Sequence, residues 1–207
     1  MNFFKKIFHS KNQEAKTAKS KVKFSEVFKI EENTSSVSDS LIEEYRFKVP
    51  QFLIDLWKAD GFGKYNNGLI ELVNPKDFEP SLWTWLGQEV EKYVPFAITG
   101  FGELFYYRKL TETDEDVCMI DIQYRKVETV VWSLASFFED FLTNEEDREE
   151  WLRETLFKKA IKEKGYLNKN EVFTFTPVLA MGGEMETKYL KKGNAQVYQD
   201  IVFQMTM

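Results

Sequence analysis

Apolar positions along the chain follow two rhythms. After Val49-Pro50, residues Phe52, Leu53, Leu56 and Trp57 recur at the spacing of one helix face. Proline suits a first helical turn, where its missing N–H costs nothing, and Asp60-Gly61 then stops the helix. A short helix is expected over residues 40–45, with Asp39 or Ser40 as cap. Residues 81–86 read as helical and continue to Val90, with Trp83 and Trp85 as packing residues. Residues 133–142 form an amphipathic helix that places Leu134, Phe137, Phe138, Phe141 and Leu142 on one side. Thr143 or Asn144 caps a further helix, whose apolar side is Trp151, Leu152, Leu156, Phe157 and Ile161 and whose end is Gly165.

The other rhythm is that of strands. Asn66-Asn67-Gly68 is a turn signal, since Asn and Gly tolerate positive φ. Leu69, Ile70, Leu72 and Val73 then predict a strand that Asn74-Pro75 ends. Residues 104–108 and 117–122 are strands around the acidic turn 111–116, and 127–131 is largely apolar. Residues 171–180 alternate around Phe173 and Phe175 until Pro177 interrupts. Residues 196–205 fit a strand or a helix. Cys118 lies inside an apolar strand and reads as an inert buried thiol. Met181, Met185, Met205 and Met207 read as core filler. The compact body is expected to start near residues 39–41.

Composition narrows the chemistry. Aromatic residues make up 16% of the 207, too much ring surface for a disordered chain, and no apolar run is long enough to span a membrane. The single histidine, His9, lies in a charged leader, so the body has none for a Ser-His-Asp or Cys-His site. With one cysteine, an intrachain disulfide is impossible, and zinc sites built from Cys and His are close to impossible. Gly100 and Gly102 begin a GxGxxG string, but Phe105 stands at its third glycine. Walker, nucleophile-elbow and calcium-loop patterns do not occur. The residues alone support no enzymatic activity, and they point to no cofactor or metal.

Charge divides the chain. Residues 1–29 carry eight lysines against Glu14 and Glu26, whereas the whole has a net charge of -6, so the remainder is strongly acidic. An acidic body argues against nucleic-acid binding and suits a basic partner. Phe3, Phe4, Ile7 and Phe8 fall at helical spacing beside Lys5 and Lys6, so residues 1–9 could touch a membrane surface, although a mobile leader is the preferred reading. The densest acidic run is at residues 145–150. Glu145, Glu146, Asp147, Glu149 and Glu150 are the candidate partner-binding residues, against the plainer reading of dipole complementation at a helix start.

Three ordered strings resemble the GAD-like family of type VI secretion immunity proteins. The first carries Pro50, Trp57, Gly61, Tyr65, Gly68, Leu69, Val73, Asn74 and Pro75. The second is the PFAITGFGELFYY run up to Tyr107. The third carries Pro177, Leu179, Gly182 and Gly183. The resemblance covers roughly residues 41–206 and leaves the leader outside. Many relatives carry a histidine where Tyr198 stands here, which favours binding over catalysis. The resemblance implies an α+β fold, an antiparallel sheet packed with helices. A basic leader and linker (1–40) would precede a GAD-like domain (41–132) and a smaller C-terminal immunity-type α+β module (133–207). It further implies a non-enzymatic, cytoplasmic immunity protein that neutralises a cognate antibacterial toxin. In one related group that toxin is a DNase, and a basic nuclease would suit the acidic body. The alternative is a regulatory or accessory domain related to tRNA-handling enzymes.

Overall fold

The computed structural model describes residues 23–31 and 34–205. The membrane-contact reading of residues 1–9, and Met207, lie outside the described residues. The fold is α+β. Strands β1 (Gly63–Tyr65), β2 (Ile70–Leu72), β3 (Tyr93–Thr99), β4 (Leu104–Lys109), β5 (Glu115–Asp121) and β6 (Lys126–Val131) form one antiparallel sheet in chain order. Strands β7 (Glu171–Phe175) and β8 (Leu190–Asn194) pair as a small second sheet.

Helices bury both faces of the large sheet. Alternate residues of a strand point to opposite faces, so a strand covered on both sides reads as continuously apolar. Thus Phe105, Tyr107, Val117 and Met119 face one core with Phe137, Phe138 and Phe141, while Leu104, Tyr106, Cys118 and Ile120 face the other. On the first side lie α1 (Phe24–Val27), α2 (Asp39–Tyr45) and α3 (Gln51–Asp60), through Leu41, Tyr45, Leu53 and Trp57. On the second lie α4 (Pro75–Leu86) and α8 (Ala195–Met205), through Phe78, Leu82, Tyr198 and Val202. Trp85 of α4 packs edge-on against Phe203 of α8.

Packing starts upstream of the expected residues 39–41. Phe24 stacks on Phe28, which is buried, and Ile30 and Ser35 form bridges to Tyr65 and Phe62. Nor do the cores follow the expected boundary at residue 132. Phe157, Phe173 and Leu190 share a cluster with Phe96 and Phe101.

Several elements differ from expectation. Helix α4 starts at Pro75, capped by the Asn74 side chain, and ends at Gly87 with φ 69° rather than reaching Val90. The expected helix 133–142 is a short α5 (Leu134–Ser136) that widens into a π turn over Phe137–Phe141, which puts Phe137, Phe138 and Phe141 all in the core. The helix expected to run on to Gly165 is broken into α6 (Glu145–Leu152) and α7 (Glu154–Lys164), because Arg153 adopts a left-handed φ of 53°. Asp116 does not sit in a solvated turn. It is buried in β5, and Arg108 grips both its oxygens at 2.8 and 2.6 Å. Met181, Met185 and Met205 are about half exposed rather than core residues, since they stand at the end of a short 3-10 turn, on a loop and on the outer side of α8. Cys118 is buried, and burial raises its thiol pKa.

Candidate functional site

A cleft of about 580 Å³ opens where the end of the large sheet meets α6 and α7. Asp121, Tyr124 and Lys126 form one wall, from β5, the turn and β6. Glu149, Glu150, Arg153 and Lys159 form the other, and Met185 closes a side. Beneath it is a buried polar network.

The network begins at the turn between β3 and β4. Gly102 has φ 92°, and a Cβ on Gly100 would lie 2.1 Å from the Phe157 ring, so this turn requires glycine at both places. Glu103 follows and is fully buried. Its Oε2 accepts from the Thr99 hydroxyl, and its Oε1 accepts from Arg153 Nη1 at 2.7 Å. Asp121 meets Arg153 Nη2 at 3.4 Å and accepts from the backbone N–H groups of Gln123 and Tyr124. Burial pushes the Glu103 carboxyl up, while the Arg153 guanidinium opposes this. Burial would lower the Arg153 pKa, but Glu103 and Asp121 outweigh it and hold the guanidinium charged. A left-handed backbone costs a non-glycine residue about 1–2 kcal/mol. The two carboxylate contacts offset that cost, and they exist because the break in the helix aims the side chain at the sheet.

Tyr198 extends the same network through Gln123, whose N–H reaches Asp121. Its hydroxyl donates to Gln123 Oε1 at 3.0 Å and accepts from the Phe175 N–H at 3.1 Å. Burial raises its pKa to about 12, with those two hydrogen bonds pulling the other way. Gln123 Nε2 in turn donates to the Phe101 carbonyl, and Gln199 Nε2 to the Gly102 carbonyl. The Tyr198–Gln123 and Gln199–Gly102 bonds join the large-sheet region to the last third of the chain.

The candidate acidic residues separate into two groups. Glu145, Glu146 and Asp147 occupy the first turn of α6, where the Asn144 side chain accepts from the backbone N–H groups of Glu146 and Asp147. Negative charge there complements the helix dipole. Asp147 is partly buried, and burial raises its pKa, with Glu150 and Glu146 adding to the rise. Only Glu149 and Glu150 line the cleft, and Glu149 also accepts from the Thr155 N–H at 2.9 Å. Arg148, between the two groups, turns inward to Glu154 and the Leu142 carbonyl.

Sequence reasoning missed Glu103, Asp121, Tyr124, Lys126, Arg153 and Lys159. One signal was visible: Glu103 is the lone carboxylate in the apolar run from Val94 to Tyr107. Among the described residues, no group of three or more His, Cys, Asp or Glu side chains is placed to hold a metal ion. No helix among them is long and apolar enough to cross a membrane.

The fold is α+β, and a buried ion network ties its large sheet to Arg153 at the junction of α6 and α7. Residues 21–120 match the GAD-like domain, and residues 132–206 match the T6SS immunity protein Tdi1, C-terminal. The chain thus carries a GAD-like match followed by a match to the C-terminal part of a T6SS immunity protein, and together the two take in most of its length. A crystal structure of Atu4351 from Agrobacterium tumefaciens has the same fold, with a TM-score of 0.65 at 16% identity, covering 86% of this chain and 85% of that one. No curated protein matches the chain.

Proposed function

We propose that this protein is a cytoplasmic immunity protein that binds a cognate antibacterial toxin stoichiometrically and neutralises it without catalysis. The observation that carries this reading is the immunity-protein match over residues 132–206, which supply Glu149, Glu150, Arg153 and Lys159 to the cleft. The chemistry of the cleft agrees with binding. Its arginine is already held by Glu103 and Asp121, while Glu150 stands exposed at the wall. The acidic body fits a basic partner such as a nuclease, whose approach it would steer. Occlusion of the toxin's active site, or distortion of its fold, would then block activity.

Affinity capture of the full chain from its own cells, with identification of the bound protein, tests the reading. The expected partner is a toxin encoded beside this gene, and co-expression should protect cells from it. Failure of protection by this chain against that toxin refutes the immunity role. In the captured complex, Glu150→Lys should weaken binding about tenfold, the scale of one well-placed interfacial charge. Glu145→Lys with Glu146→Lys should weaken it less, because those residues lie outside the cleft. The reverse order would move the interface from the cleft to the start of α6.

A further inference from the structure

The two edges of the large sheet are treated differently by the fold. At β1, the chain around Ile30 lies alongside Tyr65, and the Glu31 N–H donates to the Lys64 carbonyl. At the other end, β6 is the terminal strand and pairs with β5. Residues 126–129 are all exposed, and Val127 keeps 48% of its surface open. An open strand edge is a template for another strand.

We propose that β6 pairs antiparallel with β6 of a second copy of this chain, in a two-fold dimer centred on Val127. Charge selects both the partner and the register. In an antiparallel pair, residues directly opposite each other share a face of the sheet, and opposite charges there attract while like charges repel. Centring on Val127 sets Lys126 of each copy against Glu128 of the other, giving two complementary pairs around a Val127–Val127 contact. Centring on Glu128 sets that carboxylate against itself. Centring on Thr129 carries the ladder through Val130, the extra residue of a bulge, since Thr129 faces Cys118 while Val131 already faces Val117. Only the Val127 register uses the flat part of the strand and matches its charges. Such a short ladder makes a weak dimer, dependent on concentration.

Sedimentation of the full chain without any toxin tests this, over protein concentrations up to about 1 mM, the weak end of the affinity scale. A monomer–dimer equilibrium is expected. Glu128→Lys should weaken it about tenfold or more, as two attractive pairs become repulsive ones. The double variant Lys126→Glu with Glu128→Lys should restore it, because the swap rebuilds both pairs. Both positions are exposed, and an unchanged far-UV circular dichroism spectrum verifies the fold. A chain that stays monomeric throughout overturns the proposal. So does a dimer indifferent to Glu128→Lys, or one that the double swap fails to rescue. The measurement needs no partner, so it is decided separately from the immunity reading.

Discussion

Two buried ion pairs join the large sheet to the last third of the chain, and they do it in opposite ways. Lys64 and Glu71 both belong to the sheet, one on β1 and one on β2, and meet at 2.6 Å. They reach across as a finished pair: Lys64 Nζ lies 3.4 Å from the Glu171 carbonyl, and Glu71 accepts from the Asn170 N–H at 3.3 Å. At the other junction the charges are divided. Glu103 and Asp121 lie in the part matched to the GAD-like domain or just beyond it, while Arg153 comes from the immunity-protein match. A pair kept on one side leaves that side neutral when the junction loosens. A divided pair leaves an unpaired charge on each side, so the junction has to stay closed.

The largest effect is therefore expected at Arg153. Arg153→Met strands the fully buried Glu103 carboxylate without its cation. Breaking a buried pair from one side costs about 3–5 kcal/mol. Chemical denaturation should show a loss of that size. Adding Glu103→Gln should recover a large part of it, because the stranded charge is then gone. Equal stability of the single variant and the parent would show that the network does not hold the two parts together.

Lys64→Met should cost less, on the order of 1–3 kcal/mol, the range for a buried polar group left short of partners. Glu71 keeps the Asn170 N–H, and it lines a small cavity of about 140 Å³ with Glu31. Water can enter a polar cavity of that size and solvate the carboxylate. The comparison breaks if Lys64→Met proves as damaging as Arg153→Met in the same denaturation series.

Local signals made much of the fold legible. Pro50 and Gly61 bracket α3, and Asn66, Asn67 and Gly68 all take positive φ at their turn. The apolar runs of β4 and β5 read correctly because both faces of those strands are buried. The resemblance of motifs pointed to the family. The break at Arg153 was hidden for a physical reason: the apolar spacing of Trp151, Leu152, Leu156 and Phe157 continues across it. Left-handed positions are usually marked by glycine or asparagine, and here an arginine holds one because of carboxylates 32 and 50 residues away. The last element was undecided between strand and helix because its pattern fits both. Burial of Tyr198 and Val202 against the sheet settles it as helix α8. The acidic run had a correct density and a divided placement, since only Glu149 and Glu150 reach the cleft.

A third charged cluster sharpens the comparison at its mild end. Glu154, next to Arg153 in sequence, faces the opposite way and accepts from Arg148 Nε at 2.8 Å and Lys158 Nζ at 2.8 Å. Burial alone would raise its carboxyl pKa, but the hydrogen bonds from Lys158 and Arg148 outweigh that and hold it below its ordinary value. A carboxyl with a lowered folded-state pKa adds stability that is complete above the unfolded value, near 4.5. That stability is lost as pH falls through the lower folded value. The loss should be small, because Lys158 is largely exposed and the cluster is open to solvent on that side. Denaturation midpoints measured from pH 6 down to about pH 3 should decline less steeply in Glu154→Gln than in the parent, since the variant has no carboxyl to protonate. Parallel declines would mean that Glu154 is held equally in the folded and unfolded chain. The Arg148 side chain would then owe its place to the Leu142 carbonyl alone.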